Sequence, residues 1–280
     1  MTYTEDARGP RLHGDGGLPT GFTLIEISIV IAIIGLLIGG IVLARDLIKT
    51  AEIRSVIADV ARFQKAIVNF REKYNYLPGD FPDAESFWDT DAGGCPNNVP
   101  SAAKAETCDG DGIGTIGNST TAGVASNQTE WHRAWQHLAN AGFIEGQYSG
   151  IRGIAGNAES FVFGTNAPPS KIMGCGWVLQ YIINTAGDAN NFAHMQKHRL
   201  LLTQGGADVS WPPCIVPDDA LDFDTKIDDG LPASGKVIDK KGNVAGLHHR
   251  YCATTNVAST ALYNITYDGP ACGPTIALGF

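Results

Sequence analysis

The stretch "GFTLIEISIVIAIIGLLIGGIV", from Gly21 to Val42, decides the fold because it is apolar enough to cross a membrane. From Phe22 to Ala44 the chain has 23 residues and a single charged side chain, that of Glu26. A helix of that length extends about 34 Å, more than the bilayer's hydrocarbon core of about 30 Å. Glu26 lies about one turn from Phe22, so its carboxylate can reach the headgroup zone at a reduced energetic cost. The sequence predicts a membrane-spanning helix with one carboxylate near its start.

The segment that precedes this helix, residues 1–21, is polar, rich in glycine and proline, and without apolar periodicity, so it is interpreted as a leader. Three fates of the apolar segment are open: removal as a signal peptide after Ala44, retention as an anchor, or retention after cleavage just before the helix. The apolar stretch is longer than the apolar region of most signal peptides, and Glu26 would weaken insertion without serving export. Both features favour a helix that is retained.

The residues "LPTGFTLIEISIV", Leu18 to Val30, resemble the cleavage and methylation motif of type IV prepilins and of the pseudopilins of type II secretion. In that family a membrane peptidase cuts after the glycine, here Gly21, and methylates the new amino terminus, here Phe22. The apolar helix is then retained as the packing core of a filament. The resemblance covers Leu18 to Val42, and it implies a processed filament subunit.

Glu26 and two glycines are the helix residues that take part in assembly under this resemblance. Cleavage after Gly21 places a charged amine close to the Glu26 carboxylate, and stacked helices can bring one subunit's amine to another's carboxylate. Buried pairs of this kind set register more than they add stability. Gly35 and Gly39 form a G-x-x-x-G pair that permits close contact between helices. Many relatives carry a proline in the apolar half of the helix, whereas this chain has none there.

The helix is predicted to continue beyond the membrane, because residues 44–74 contain no glycine or proline. Apolar residues recur there at spacings of 3 and 4, which is typical of an amphipathic helix: Ile53, Val56, Val60, Phe63, Ile67, Phe70 and Tyr74. Pro78 predicts an end near Tyr76. The predicted organisation is a leader over 1–21, a helix over 22–76 that spans the membrane to about residue 44, and an outer domain over 77–280.

The outer domain is predicted to combine short strands, helices and long loops. One helix is expected in "EWHRAWQHLANAGF", with a stop at Gly142, and another is expected to open at Pro217. Strand candidates, rich in branched and aromatic residues, are 160–164, 176–184, 199–203 and 262–267. This composition predicts an α+β domain. The resemblance implies a pilin-like arrangement in which the long helix packs on an antiparallel sheet.

Charge and cysteine content restrict the partners and the compartment. The chain has 29 acidic against 20 basic residues, a net charge of −9, which repels phosphates and argues against a nucleic acid partner. Its cysteines are even in number, follow the apolar segment and include no C-x-x-C pair, so disulfides in an oxidising compartment are expected. Several connectivities are possible, and nearest-neighbour pairing is the hypothesis: Cys95 with Cys108, Cys175 with Cys214, and Cys252 with Cys272.

No catalytic group of residues is recognised, and the chain is not expected to be an enzyme. His194 and His198 have a spacing that metals can use on a helix, but no third ligand accompanies them. The G-x-G-x-x-G pattern at residues 112–117 follows no predicted strand. A calcium site is a hypothesis at Asp109 and Asp111 in the glycine-rich loop "CDGDGIG", with solvated turn aspartates as the alternative.

A second acidic group raises the same alternatives, since the resemblance includes pseudopilins that bind calcium near their C-terminal loops. Its members are Asp218, Asp219, Asp222, Asp224, Asp228 and Asp229.

The resemblance implies a subunit, major or minor, of a type IV pilus or of a type II secretion pseudopilus, and the shared motif leaves these possibilities open. Its partners would be homologous subunits, a prepilin peptidase, the inner-membrane assembly platform and, before assembly, membrane lipid. The expected location is the bacterial inner membrane, with one span and the C-terminal domain outside, and later a periplasmic or cell-surface filament. The alternative is a secreted or membrane-anchored periplasmic binding protein or enzyme that uses the apolar segment only for export.

Overall fold

The computed structural model describes residues 21–90, 106–117, 130–151, 153, 161–181, 191–193, 198–205, 212–242 and 250–280. The chain divides into two compact units, the first ending at Ile48 and the second running from Lys49 to Phe280. The described part of the first unit is an apolar helix, and the second unit combines helices with an antiparallel sheet. The predicted α+β fold is therefore confirmed.

Helix α1, Leu24–Tyr74, is the longest element, with 51 residues. It stops directly before Asn75, whose positive φ of 62° is the left-handed conformation that asparagine tolerates and that ends helices. Arg71 and Lys73 lie in the last turn, where basic side chains favour the negative end of the helix dipole. The predicted continuous helix is confirmed, although it ends slightly earlier than Tyr76.

The second half of α1 carries the predicted buried stripe. Tyr74, its last predicted member, is half-buried, and the other predicted members are buried: Ile53, Val56, Val60, Phe63, Ile67 and Phe70. Ala66, which was not predicted, is buried with them. The ring of Phe63 lies edge-on to two indole rings, 5.0 Å from that of Trp135 and 5.9 Å from that of Trp177. Trp177 also donates a hydrogen bond of 3.3 Å from Nε1 to Asp59 Oδ2. These contacts tie this half of the helix into the core of the second unit.

The remaining elements, in chain order, are α2 (Ala84–Trp88), α3 (Glu130–Asn140), β1 (Cys175–Tyr181), β2 (His198–Gln204), α4 (Pro217–Ile227), β3 (Val237–Ile238), a 3₁₀ turn (Ala258–Thr260) and β4 (Thr275–Ala277). The strands form one antiparallel sheet in the order β1-β2-β4-β3. Leu179, Leu200 and Ile276 face each other across three of them, and all three are buried. Cross-strand rows of this kind hold a sheet to its core.

Two of the four predicted strands are confirmed, as β1 and β2, while residues 182–184 lie outside the described part of the chain. The prediction for 262–267 is wrong, because Leu262 and Ile265 are exposed and the segment turns through a hydrogen bond from Tyr267 N–H to the Asn264 carbonyl. Residues 161–164 contribute an isolated bridge and no strand. The sequence analysis missed β3 and β4, which have two and three residues and are too short for a periodic pattern.

Both predicted helices of the outer unit are confirmed. Helix α3 is followed by Gly142, whose φ of 75° is favourable for glycine and ends the segment as predicted. Its apolar residues Trp131, Trp135 and Leu138 are buried, but so is every other residue from Glu130 to Leu138, including polar ones. Helix α4 begins at Pro217, whose missing N–H costs nothing at a first helical position.

The disulfides follow the nearest-neighbour hypothesis where both partners are described. Cys175 at the start of β1 is bonded to Cys214, and Cys252 is bonded to Cys272 just before β4. Cys108 is also in a disulfide. Cys95, its predicted partner, lies outside the described residues, so that pairing stays a prediction.

Candidate functional site

The residues that the sequence analysis assigns to processing lie immediately before α1. Gly21 and Phe22 precede the first helical residue, Leu24, and Phe22 is 84% exposed. Among the described residues, no atom outside its chain neighbours lies within 4 Å of the position that a Cβ on Gly21 would occupy. The Gly21–Phe22 bond therefore lies in an open, non-helical stretch of chain, the kind of segment that proteases cut.

Thr23 and Glu26 form a capping box at the start of α1. The N–H of Thr23 donates to Glu26 Oε2 at 2.8 Å, and the N–H of Glu26 donates to Thr23 Oγ1 at 3.3 Å. The Thr23 hydroxyl donates to the same Glu26 oxygen at 2.7 Å. These reciprocal bonds satisfy two backbone donors that a helix start leaves without partners.

The sequence analysis missed this capping box, although T-x-x-E at Thr23 to Glu26 is its signature. It gives the Glu26 carboxylate a partner inside its own helix. The carboxylate near the membrane end of the helix therefore has a local structural role besides any role in assembly.

The part of α1 that belongs to the first unit is exposed along its whole length, from Leu24 to Ile48. It is long and apolar enough to cross a membrane, which is consistent with a membrane anchor. Gly35 and Gly39 lie one turn apart on one side of the helix, and a Cβ on either would meet nothing within 4 Å. An apolar surface of this size needs lipid or protein to cover it in water.

Three carboxylates from separate segments lie close together in the second unit. One oxygen each from Asp80, Asp111 and Glu130 lies within 4.8 Å of the other two. Asp80 follows α1, Asp111 belongs to the glycine-rich loop 106–117, and Glu130 opens α3. Asp80 is 1% and Glu130 5% exposed. The fold thus brings three separate segments together at one acidic cluster.

Backbone N–H groups of the glycine-rich loop bind this acidic cluster. Gly114 donates to Asp80 Oδ2 at 3.0 Å, while Asp111 and Gly117 donate to the two oxygens of Glu130 at 3.3 and 2.6 Å. Asp80 Oδ1 is buried, and no N–H group of the described part of the chain donates to it. The backbone of the G-x-G-x-x-G segment therefore binds carboxylates of its own chain.

Burial dominates the electrostatics of the acidic cluster. It raises the pKa of Asp80 to about 7, and the neighbouring Asp111 carboxylate adds to that effect. It raises the pKa of Glu130 to about 9, with the charges of Asp111 and Asp80 as further contributions, against the lowering effect of the N–H groups of Gly117 and Asp111. A buried carboxylate beside another one is stable only when a proton or a cation neutralises it.

The two aspartates predicted as calcium ligands are separated in the structure. Asp111 belongs to the acidic cluster, whereas Asp109 Oδ1 accepts the N–H of Glu85 at 2.8 Å, in the first turn of α2. Asp80 and Glu130, which were not predicted as ligands, lie beside Asp111 in the acidic cluster. No local spacing could have shown this, because the three residues lie far apart in sequence.

The second predicted acidic group also divides. Asp224, Asp228 and Asp229 converge, whereas ion pairs join Asp218 and Asp219 to Lys49 and Asp222 to Lys226. The Tyr263 hydroxyl donates to Asp224 Oδ2 at 3.0 Å. Asp228 accepts the N–H groups of Lys236 and Val237, and Asp229 accepts from Leu231 and Ser234. These bonds are typical of aspartates that shape a turn.

The described histidines are part of the packing of the second unit. His137 Nδ1 accepts the N–H of Gly79 at 3.0 Å, so its Nε2 carries the proton that faces Thr107 Oγ1, also at 3.0 Å. His198 lies in β2, where its ring joins the Ile116 N–H to the Phe280 carbonyl. His194, His248 and His249 lie outside the described residues.

Comparison with protein-family models, with curated proteins and with solved structures gives no match for this chain. Its function is therefore inferred from its own residues and from the motif at residues 18–42.

Proposed function

We propose that the chain is a structural subunit of a type IV pilus-like or type II secretion pseudopilus filament, processed after Gly21, methylated at Phe22 and assembled through its apolar helix. The observation that carries this proposal is the form of α1. Its first half is apolar and exposed on every side, with a single carboxylate beside an accessible Gly21–Phe22 bond. Its second half is fixed in a folded unit by a buried stripe.

The chemistry of the proposed cleavage supports a role for Glu26 in assembly. Hydrolysis of the Gly21–Phe22 bond would leave a protonated amine on Phe22, four residues from Glu26. A charge in an apolar environment is costly when it is alone and tolerable when it is paired. In a bundle of helices, the Glu26 carboxylate of one subunit would pair with the Phe22 amine of a neighbour, and this pair would fix the axial register.

The proposed location follows from the same features. Before assembly the apolar half of α1 would lie in the bacterial inner membrane, with the disulfide-bonded unit in the oxidising compartment outside. Prepilin peptidase, an inner-membrane assembly platform and homologous subunits would be its partners. On assembly, neighbouring helices would replace lipid around residues 24–48, and Gly35 and Gly39 would allow close approach.

The capping box supports a second candidate function. Because Glu26 is already bonded to Thr23, a chain that never assembles also has a use for this carboxylate. In that case the apolar segment serves only for export or anchoring, and the second unit is a periplasmic binding protein or enzyme.

Mass spectrometry of the mature amino terminus separates the two candidates. The full-length chain is expressed in a bacterium with and without a prepilin peptidase, and the membrane fraction is analysed. The filament proposal expects a chain that begins with N-methylated Phe22 only when the peptidase is present. A chain that begins at Arg45, or one that keeps residues 1–21 beside an active peptidase, would exclude it.

Matched substitutions then separate pairing from capping at Glu26. Glu26→Gln keeps an acceptor for the Thr23 N–H but removes the charge, whereas Thr23→Ala removes the hydroxyl of the capping box and keeps the charge. The filament proposal expects Glu26→Gln to be processed but not assembled, as for Glu26→Ala, and Thr23→Ala to assemble. Normal filaments from Glu26→Gln would show that the carboxylate is not needed as a charge.

A further inference from the structure

The three carboxylates of the acidic cluster have no positive partner in the described part of the chain. No described lysine or arginine forms an ion pair with Asp80, Asp111 or Glu130. Three carboxylates within 4.8 Å of one another, two of them almost fully buried, repel each other strongly if all are ionised.

Asp80 is the residue whose environment most directly indicates a ligand. Its side chain is 1% exposed, Oδ2 accepts the N–H of Gly114, and Oδ1 has no N–H partner among the residues that the structure describes. Buried carboxylate oxygens are normally hydrogen-bonded, and one without a donor needs an explanation such as a bound ion. Asp111, which adjoins Asp80 in the cluster, contributes a further carboxylate.

Backbone N–H groups of the glycine-rich loop hold these oxygens in place. Gly110 lies so close to Asp80 that a Cβ there would collide with the Asp80 backbone. Gly112 and Gly114 have φ values of 70° and 85°, which only glycine adopts at little cost. An open cavity of about 330 Å³ adjoins the Asp80 side of the cluster, and its lining includes Gly112, Gly114 and the basic Arg71.

We propose that Asp80, Asp111 and Glu130 bind one Ca²⁺ ion, which joins the segment after α1, the glycine-rich loop and the start of α3. Carboxylate oxygens are the ligands that hard cations prefer, and the absence of a thiolate or histidine from the group argues against zinc. Ca²⁺ accepts about six to eight oxygens in irregular geometry, so ligands from three separate segments suit it better than Mg²⁺, which demands a near-ideal octahedron. Water from the adjoining cavity completes its coordination. This proposal does not depend on filament assembly.

Direct binding of Ca²⁺ to the full-length chain is the first test. The detergent-solubilised protein is stripped with a chelator and titrated with CaCl₂, and binding is followed by calorimetry and by the midpoint of thermal unfolding. One Ca²⁺ per chain is expected, with a higher midpoint, and MgCl₂ is expected to compete only at much higher concentration. Absence of binding at millimolar CaCl₂ would overturn the proposal, and a site that takes Mg²⁺ in preference would overturn the assignment of Ca²⁺.

Asp109 supplies a matched control for Asp111, because it lies in the same loop but outside the acidic cluster. Asp111→Asn is expected to weaken Ca²⁺ binding by at least about tenfold, and Asp109→Asn is expected to leave it unchanged. Asp111 is only partly buried, so its variant is expected to fold. Equal effects of the two substitutions, or loss of binding only in Asp224→Asn, would place the ion elsewhere and overturn the proposal.

The sign of a stability change distinguishes a metal ligand from a structural carboxylate. With chelator present, Asp80→Asn removes a buried repulsion and is expected to unfold at a higher temperature than the wild type. With saturating CaCl₂ the order is expected to reverse, because only the wild type gains from the ion. A variant that is less stable in both conditions, by the same amount, would show that Asp80 serves the fold and not a cation.

Discussion

The two halves of helix α1 share one continuous backbone but differ in what surrounds them. From residue 24 to 48 every side chain is exposed, although the segment contains hardly any polar residues. From residue 49 to 74 charged and apolar side chains alternate at helical spacing, and the apolar ones are buried. The comparison shows that patterning, more than hydrophobicity, decides whether a helix packs in its own fold or needs another environment.

Truncation of a core residue tests this comparison most severely. Phe63→Ala removes a ring buried between Trp135 and Trp177, and we expect it to lower the free energy of unfolding by about 4 kcal/mol. All tryptophans of the chain lie beyond residue 49, so denaturation in detergent, followed by tryptophan fluorescence, reports the second unit alone.

Ile34→Ala is the matched control for Phe63→Ala in the first half of α1. Ile34 is 48% exposed in the structure, so we expect a change in this free energy below about 0.5 kcal/mol. A large effect of Ile34→Ala would mean that the first half contributes to the stability of the second unit.

Acid sensitivity is expected in the second unit through His137. Burial, and then the charge of Arg133, lower its pKa to about 3, from a usual value of 6.5. Between these values the unfolded chain binds a proton that the folded chain does not, so stability falls as the pH decreases below about 6.5. Acidification to pH 4 should cost about 3 kcal/mol through this group.

His137→Asn isolates this contribution. Asparagine can still accept the N–H of Gly79 but cannot be protonated, so the acid-induced loss of stability should be smaller than in the wild type. Carboxylates with raised pKa values, such as Glu130, act in the opposite direction and are common to both chains. Parallel stability curves for the two chains between pH 7 and 4 would contradict the role assigned to His137.

The difference between local patterns and contacts remote in sequence explains which features the sequence could predict. The apolar run, the buried stripe of α1 and the helices at Glu130 and Pro217 are local periodic signals, and each is confirmed. Strands β3 and β4 were missed because their position depends on partners remote in sequence. The acidic cluster is non-local in the same way, since Asp80 and Glu130 reach Asp111 only through the fold. The capping box follows the local T-x-x-E pattern and could have been predicted from the sequence. It was missed because Glu26 was interpreted only through the resemblance to the filament motif.

A smaller effect is expected where the second half of α1 meets the sheet through a polar contact. Asp59→Ala leaves the Nε1 donor of the buried Trp177 without its partner, which should cost about 1 to 2 kcal/mol. Asp59 also pairs with Arg62 at 2.8 Å, but the Arg62 side chain is 49% exposed. Arg62→Met should therefore cost less than about 0.5 kcal/mol. Equal losses in the two variants, measured by chemical denaturation, would assign the effect to the ion pair.

The smallest effect is expected at the start of α1, where no core supports the helix. Thr23→Val removes the hydroxyl that accepts the Glu26 N–H, at a cost of about 1 kcal/mol. Because helix ends open independently of the rest of a protein, this loss should appear as local fraying and not as a lower global stability. Hydrogen exchange in detergent should be about fivefold faster at the amides of Glu26 and Ile27, and unchanged beyond residue 49. Thr23→Ser, which keeps the hydroxyl, should exchange like the wild type, and faster exchange in that variant would indicate that the methyl group, not the capping bond, holds the first turn.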